Sequence, residues 1–166
     1  MSVKFTSDFH FGHKSILKYR PQFETIEQHD NVILTEMSKL TKRDVLYVLG
    51  DFLFDCDNFE WYLKQIAKMP LRIKLVLGNH DSRELYNQTI APNIEIQLPL
   101  FSYKNYWISH CPIHPQEIRG RSGNLHGHLH HAVLEDEMYF DVGLDKNNFK
   151  FVDFEYIKTI KSLNLI

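Results

Sequence analysis

The sequence predicts an α/β fold in which a parallel sheet carries its functional groups along one edge. Three observations predict it. The alternating apolar and polar residues of Val3-Lys4-Phe5-Thr6 and the apolar runs Val45-Leu46-Tyr47-Val48-Leu49 and residues 71–77 read as strands, separated by helical patterns. Each run ends in side chains with ligand chemistry: Asp8 and His10, then Gly50-Asp51, then Gly78-Asn79-His80-Asp81. Strand–helix units joined by right-handed crossovers lie parallel, which brings the three ends to the same edge.

The elements follow in order. Strand one, Val3 to Thr6, delivers Asp8 and His10, which point the same way if the extended geometry continues. After the turn at Gly12, His13 is either a site group or a helix-start residue. Residues 14–20 read as a short helix stopped by Pro21. Arg20 either holds a phosphate or is solvated. Thr25 and Gln28 form a capping-box pattern for a helix to Leu40, with Ile26, Ile33, Leu34, Met37 and Leu40 as its buried stripe. The continuous run Val45 to Leu49 is a strand buried on both faces. Residues 57–60 cap a helix that ends near Lys68, and Pro70 breaks the chain before strand three. A helix is expected over residues 82–89.

The second half is β-like. Strands are expected over 94–98, 100–103 and 106–109, with Lys104-Asn105 as a tight turn. His110-Cys111-Pro112 follows the last of them. Arg119-Gly120-Arg121-Ser122-Gly123 reads as a basic loop that either reaches a phosphate or is solvated, and His126-Gly127-His128-Leu129-His130 comes next. Residues 132–134 and 138–142 suggest a hairpin, and 153–163 a terminal helix with Phe154, Ile157, Ile160 and Leu163 on one face.

The chain has 166 residues, the size of a single domain spanning 1–166. Its net charge of −2 gives no general pull towards nucleic acid or membrane. No apolar run approaches membrane-spanning length, and no signal peptide is read at the N-terminus. Two cysteines make no disulfide framework, so free thiols and a cytoplasmic location are expected. Histidine stands out. There are ten, and all but His29 fall in a cluster or motif.

Asp8, His10, Asp51, Asn79, His110, His128 and His130 supply oxygen and imidazole donors, the set that suits Mn, Fe, Zn, Co or Ni. They are enough for two ions if Asp51 bridges. In their order and spacing, Asp8-x-His10, Gly50-Asp51, Gly78-Asn79-His80-Asp81, His110 and Gly127-His128-x-His130 resemble the motifs of the calcineurin-like metallophosphoesterase family. The start at Asp8 to His13 is similar to that of its small single-domain bacterial and phage members. The resemblance implies a sandwich of two mixed β-sheets flanked by helices. It implies Asp8, His10 and His130 at one metal, Asn79, His110 and His128 at a second, and Asp51 between them. It further implies His80 as the acid beside the scissile phosphate, and attack by a hydroxide held between two divalent transition-metal ions, manganese being favoured.

The reaction expected is hydrolysis of a small or terminal phosphodiester, a nucleotide or an RNA end, and not of long duplex nucleic acid. His13, Arg20, Arg119 and Arg121 are the substrate-binding candidates. Phe54 and Asp55 stand where the family's protein phosphatases carry Asp and Arg, which argues against a phosphoprotein substrate. The alternatives are a phosphomonoesterase and a non-catalytic metal-binding scaffold of the same fold. Retention of His80 argues against the scaffold.

Overall fold

A computed structural model describes residues 1–54, 58–81 and 91–162. Strands β1 (Val3–Thr6), β2 (Val45–Leu49) and β3 (Arg72–Val76) pair in parallel, as expected. β4 (Ile94–Ile96) adds in parallel beside β3, and β9 (Val152–Asp153) adds antiparallel beside β1. The resulting order is β4-β3-β2-β1-β9. A second sheet, β5-β6-β7-β8, contains β5 (Leu100–Tyr103), β6 (Tyr106–Ser109), β7 (Gly123–His126) and β8 (Tyr139–Asp141). The two mixed sheets with flanking helices are the sandwich that the motifs implied.

The alternation of β2 shows why two layers form. All five of its residues are buried. Leu46 and Val48 join a core with Ile33 and Met37 of helix α1 (Ile26–Ser38) and with Leu63 and Ile66 of helix α2 (Phe59–Ala67). Val45, Tyr47 and Leu49 face the other way and pack with Tyr106, Ile108 and Leu125 of the second sheet. A strand whose two faces are both covered reads as a continuous apolar run. Helix α3 (Phe154–Ser162) closes this second core with Phe154 and Ile157.

Local signals set most boundaries. The Thr25 hydroxyl accepts from the Gln28 amide at 3.2 Å and starts α1. Gln28 reaches back to the Glu24 amide, one residue earlier than a capping box would place it. Lys104 and Asn105 have φ of 42° and 72°, the paired positive values of a two-residue hairpin turn. Residues Lys14–Lys18 wind as a 3₁₀ helix.

Two expectations differ. The hairpin between 132–134 and 138–142 does not form. β8 pairs in parallel with β7, and Val133 stays 69% exposed in irregular chain. The fourth strand also stops at Ile96, leaving Leu98 exposed. The helix expected over 82–89 lies outside the described residues, as do Asp57 and Leu163.

Candidate metal centre

Parallel pairing sets the site. β1, β2 and β3 end at residues 6, 49 and 76, so Asp8, Asp51 and Asn79 emerge together at their carboxyl edge. β6 and β7 are also parallel, and deliver His110 and His128 from the second sheet. The two edges are laced together. The His128 amide crosses to Asp8 Oδ2 at 2.9 Å, while the Asp8 amide donates to Gly50 O at 3.0 Å within the first edge and the Gly127 amide to His110 O at 2.9 Å within the second.

The backbone at these residues is unusual. Asp8, His10, Asp51, His128 and His130 have φ of 63°, 51°, 51°, 72° and 49°. Such left-handed non-glycine residues cost on the order of 1–3 kcal/mol each and gather at functional sites. Asp8 and His10 are therefore not aligned by continued extension of the strand. Close approach adds a further constraint: a Cβ on Gly50 would run into the His110 ring, and one on Gly127 would strike Ser7 and Asp8.

Three overlapping groups of donors result. Ligand atoms of Asp8, His10 and His130 lie within 4.8 Å of one another, as do those of Asp8, Asp51 and His110, and those of His110, Cys111 and His128. Asp51 faces two ways: Oδ2 is 3.5 Å from His10 Nε2, and Oδ1 is 3.5 Å from His110 Nε2. Asn79 Oδ1 sits 3.0 Å from His110 Nε2. The His110 Nδ1–H donates to Leu49 O at 2.7 Å, which turns the Nε2 lone pair into the cluster. His80 is exposed, with its amide bonded to Asp51 Oδ1 at 2.9 Å and its ring centroid 5.6 Å from that of His10.

The cluster fits a cation. Asp8 and His10 are 1% and 3% exposed. Among the described residues, Asp8 Oδ1 and both His10 ring nitrogens have no hydrogen-bond partner. Buried polar atoms are normally paired, so these are aimed at something else. Burial pushes the Asp8 carboxyl up to about 6, against the pull of His110 and His130. Burial also pushes His10 down to about 2, helped by the nearby Arg20 charge, so its imidazole is neutral. A cation must displace the proton that Asp8 takes up below about 6. Added Mn²⁺ is therefore expected to raise the melting temperature more at pH 7 than at pH 5. Equal shifts in paired thermal melts would refute this.

A family model described as calcineurin-like phosphoesterase matches residues 1–159. The chain belongs to this family. The family is typically dependent on divalent metals, and this phosphoesterase carries the matching His and Asp groups. Relatives include the Gene 66 protein of Mycobacterium phage L5, 26% identical over 161 residues and covering 78% of each chain. The uncharacterized protein MJ1445 of Methanocaldococcus jannaschii is 25% identical over 176 residues, covering 95% of this chain and 94% of the other. A solved structure, the protein of unknown function AQ665 from Aquifex aeolicus, has a TM-score of 0.73 at 25% identity. It covers 96% of this chain and 98% of its own.

The substrate-binding candidates of the phosphoesterase separate. The His13 ring stacks on Phe54 at 4.0 Å and lines a cavity of about 480 Å³ with His10, Ile16, Tyr19, His80 and His130. Arg20 is elsewhere: it is fully buried, ion-paired with Asp145 at 2.8 Å, and presents nothing to a substrate. Arg119 and Arg121 are at the wrong end of the second sheet. Arg119 pairs with Glu117 at 2.9 Å, and Arg121 lies over the Trp107 ring at 4.2 Å. Their loop enters β7 at Gly123, beside the Asn105 turn, whereas His110 and His128 leave the opposite end. Four strand residues at roughly 3.3 Å each separate the two ends.

Three further residues matter that the sequence reading left without a role. Asp81 accepts from the Phe52, Leu53 and Gly78 amides at 2.7, 3.1 and 2.7 Å, locking the ends of β2 and β3 together. Asp145 accepts from His130 Nδ1 at 2.8 Å. Cys111, read only as a free thiol, falls within reach of His110 and His128. Its place directly after His110 was the available signal. His114, His126 and His131 join none of the three groups.

Proposed function

We propose that this protein is a dinuclear metal-dependent phosphodiesterase acting on small or terminal, nucleotide-type phosphate esters. The observation that carries the reading is Asp51: one buried carboxylate with an oxygen 3.5 Å from His10 on one side and 3.5 Å from His110 on the other. Asp8, His10 and His130 form one donor set, Asn79, His110 and His128 the second, and Asp51 is common to both. The bound cations, with Mn²⁺ as the first choice, supply Lewis acidity towards the phosphate oxygens and the attacking water.

The protein's own groups do the rest. The backbone of His80 is pinned to Asp51, and its exposed ring stands at the cavity beside His10 and His13. In this reading that ring gives a proton to the departing oxygen. The absence of Lys and Arg from the described lining of this cavity supports a diester. A monoester dianion gains most from extra cations, whereas a diester monoanion needs few but has a leaving group in need of a proton. The substrate is held locally, because a net charge of −2 gives no field to gather long nucleic acid. Among the described residues no helix is long and apolar enough to cross a membrane.

Matched aryl mono- and diesters test this, together with metal analysis of the active protein. The expected result is a higher kcat/KM for the diester and two ions per chain. A higher value for the monoester overturns the diesterase reading, and one ion in fully active protein overturns the dinuclear one.

A further inference from the structure

The buried Arg20 lies at the centre of a chain of polar groups that runs from the helical layer to the donor cluster. Its Nε–H and Nη2–H donate to the two oxygens of Asp145, both at 2.8 Å. Nη2–H also donates to the Asp8 carbonyl at 2.7 Å, and Nη1–H to that of Phe9 at 3.4 Å. Nη1 is 2.6 Å from His29 Nε2, while His29 Nδ1 is 2.7 Å from Asp30 Oδ1. Asp30 accepts from the Tyr62 hydroxyl at 2.6 Å and from the Gly12 amide at 3.2 Å. The side chains of Arg20, Asp145, His29 and Asp30 are between 0% and 4% exposed.

One assignment of protons satisfies every contact. Arginine only donates and carboxylates only accept. His29 must therefore accept at Nε2 and donate from Nδ1 to Asp30. His130 must donate from Nδ1 to Asp145, so Nε2 is its nitrogen left for a cation. A buried guanidinium carrying only a stabilising load would not need to grip the carbonyls of Asp8 and Phe9, the turn in which Asp8 and His10 adopt positive φ. Nor would its partner carboxylate need to hold a histidine of the donor cluster.

We propose that Asp145 and Arg20 are positioning residues, forming a strut that aligns His130 from the second sheet with Asp8 and His10 from the first for a single cation. This rests on reading Asp8, His10 and His130 as one donor set. Asp145 fixes the tautomer and direction of His130, and Arg20 fixes the Asp8 turn. The strut belongs to one of the two ion positions and not to the other, where His110 is oriented instead by Leu49 O. Removing a carboxylate behind a ligating histidine typically costs about 10–100-fold in metal affinity.

The test is calorimetric titration of metal-free full-length protein with Mn²⁺, for wild type, Asp145→Asn and Tyr62→Phe. Wild type is expected to show two binding events. Asp145→Asn should keep one at wild-type affinity and weaken the other by about 10–100-fold. Tyr62→Phe removes a bond at the far end of the chain and should keep both. Folded Asp145→Asn that binds both ions as wild type does, or weakens both alike, overturns the strut. If Asp145→Asn does not fold, Arg20→Lys carries the comparison. It keeps the charge but has a single nitrogen, so it cannot make the two parallel bonds to Asp145 while also reaching Phe9 O and His29; one event should weaken, and two unchanged events overturn the proposal. Wild type that takes up no Mn²⁺ overturns the donor-set reading, and the strut with it.

Discussion

Asp51→Asn is expected to remove most hydrolysis and the paired uptake of two cations while leaving the protein folded. Asp51 is 2% exposed and lies between His10 and His110. Asparagine keeps its shape and tolerates the left-handed backbone at φ 51°. It also keeps one oxygen for the His80 amide. What it loses is the charge that the proposed bridge shares between the two donor sets. In place of one oxygen it presents an N–H₂ that cannot act as a donor to a cation. Removing one preorganised electrostatic group typically costs about 10²–10³-fold in rate, and in the proposed bridging position one change would affect both ions, so the fall should reach at least that. Asp51→Ala should add a stability loss of about 1 kcal/mol or more from the left-handed backbone alone. Metal analysis after dialysis, with rates on the same samples, gives the result. An asparagine variant that holds two ions and turns over normally would end the bridging role.

The fold was legible where burial is apolar and obscure where it is polar. β2 announces itself because a strand covered on both faces is made of contiguous β-branched, aromatic and aliphatic residues, and β1 and β3 because their apolar residues alternate with Lys4, Thr6, Arg72 and Lys74 in the two-residue period of a strand. β7 does not, because Gly123-Asn124-Leu125-His126 contains one aliphatic residue, although all four are buried. Asn124 is tolerated inside because its amide donates to Trp107 O and Ser109 Oγ and accepts from the Ile113 amide. Those partners are contributed by the finished fold. The opposite error arose at residues 132–134, which are apolar but exposed.

The candidate site shows the same division. Strand ends that each finish in a carboxylate, amide or imidazole are visible in the sequence, and the parallel sheet brings them together. The conformation is not visible: an i, i+2 spacing aligns two side chains only if the strand continues, whereas Asp8 and His10 turn through positive φ. Arg119 and Arg121 looked close to His128 because few residues intervene. Those residues include β7, which carries the chain to the other edge. Arg20 and Asp145 are 125 residues apart, and no local pattern marks either as the partner of the other.

His80→Ala should separate the chemistry from the metals. The ring is exposed with loose ring contacts to His10, His13 and Phe54, and alanine retains the backbone amide bonded to Asp51 at 2.9 Å. Fold and cation uptake should therefore match wild type. Turnover should fall by about 10²–10⁴-fold, the range for loss of a general acid. The size of the fall should depend on the leaving group. An alkoxide departing from an alkyl diester needs a proton, which His80 is proposed to give, so the full loss is expected there. A nitrophenolate leaves without one, so for nitrophenyl diesters the loss should shrink towards whatever His80 contributes by contact with the phosphate. Paired kcat measurements on alkyl and nitrophenyl diesters, with metal content determined on the same preparations, read out both halves of the argument. Equal losses on the two substrates would mean that His80 acts by electrostatic contact alone. Loss of the cations from His80→Ala would mean that it holds metal and is not the acid.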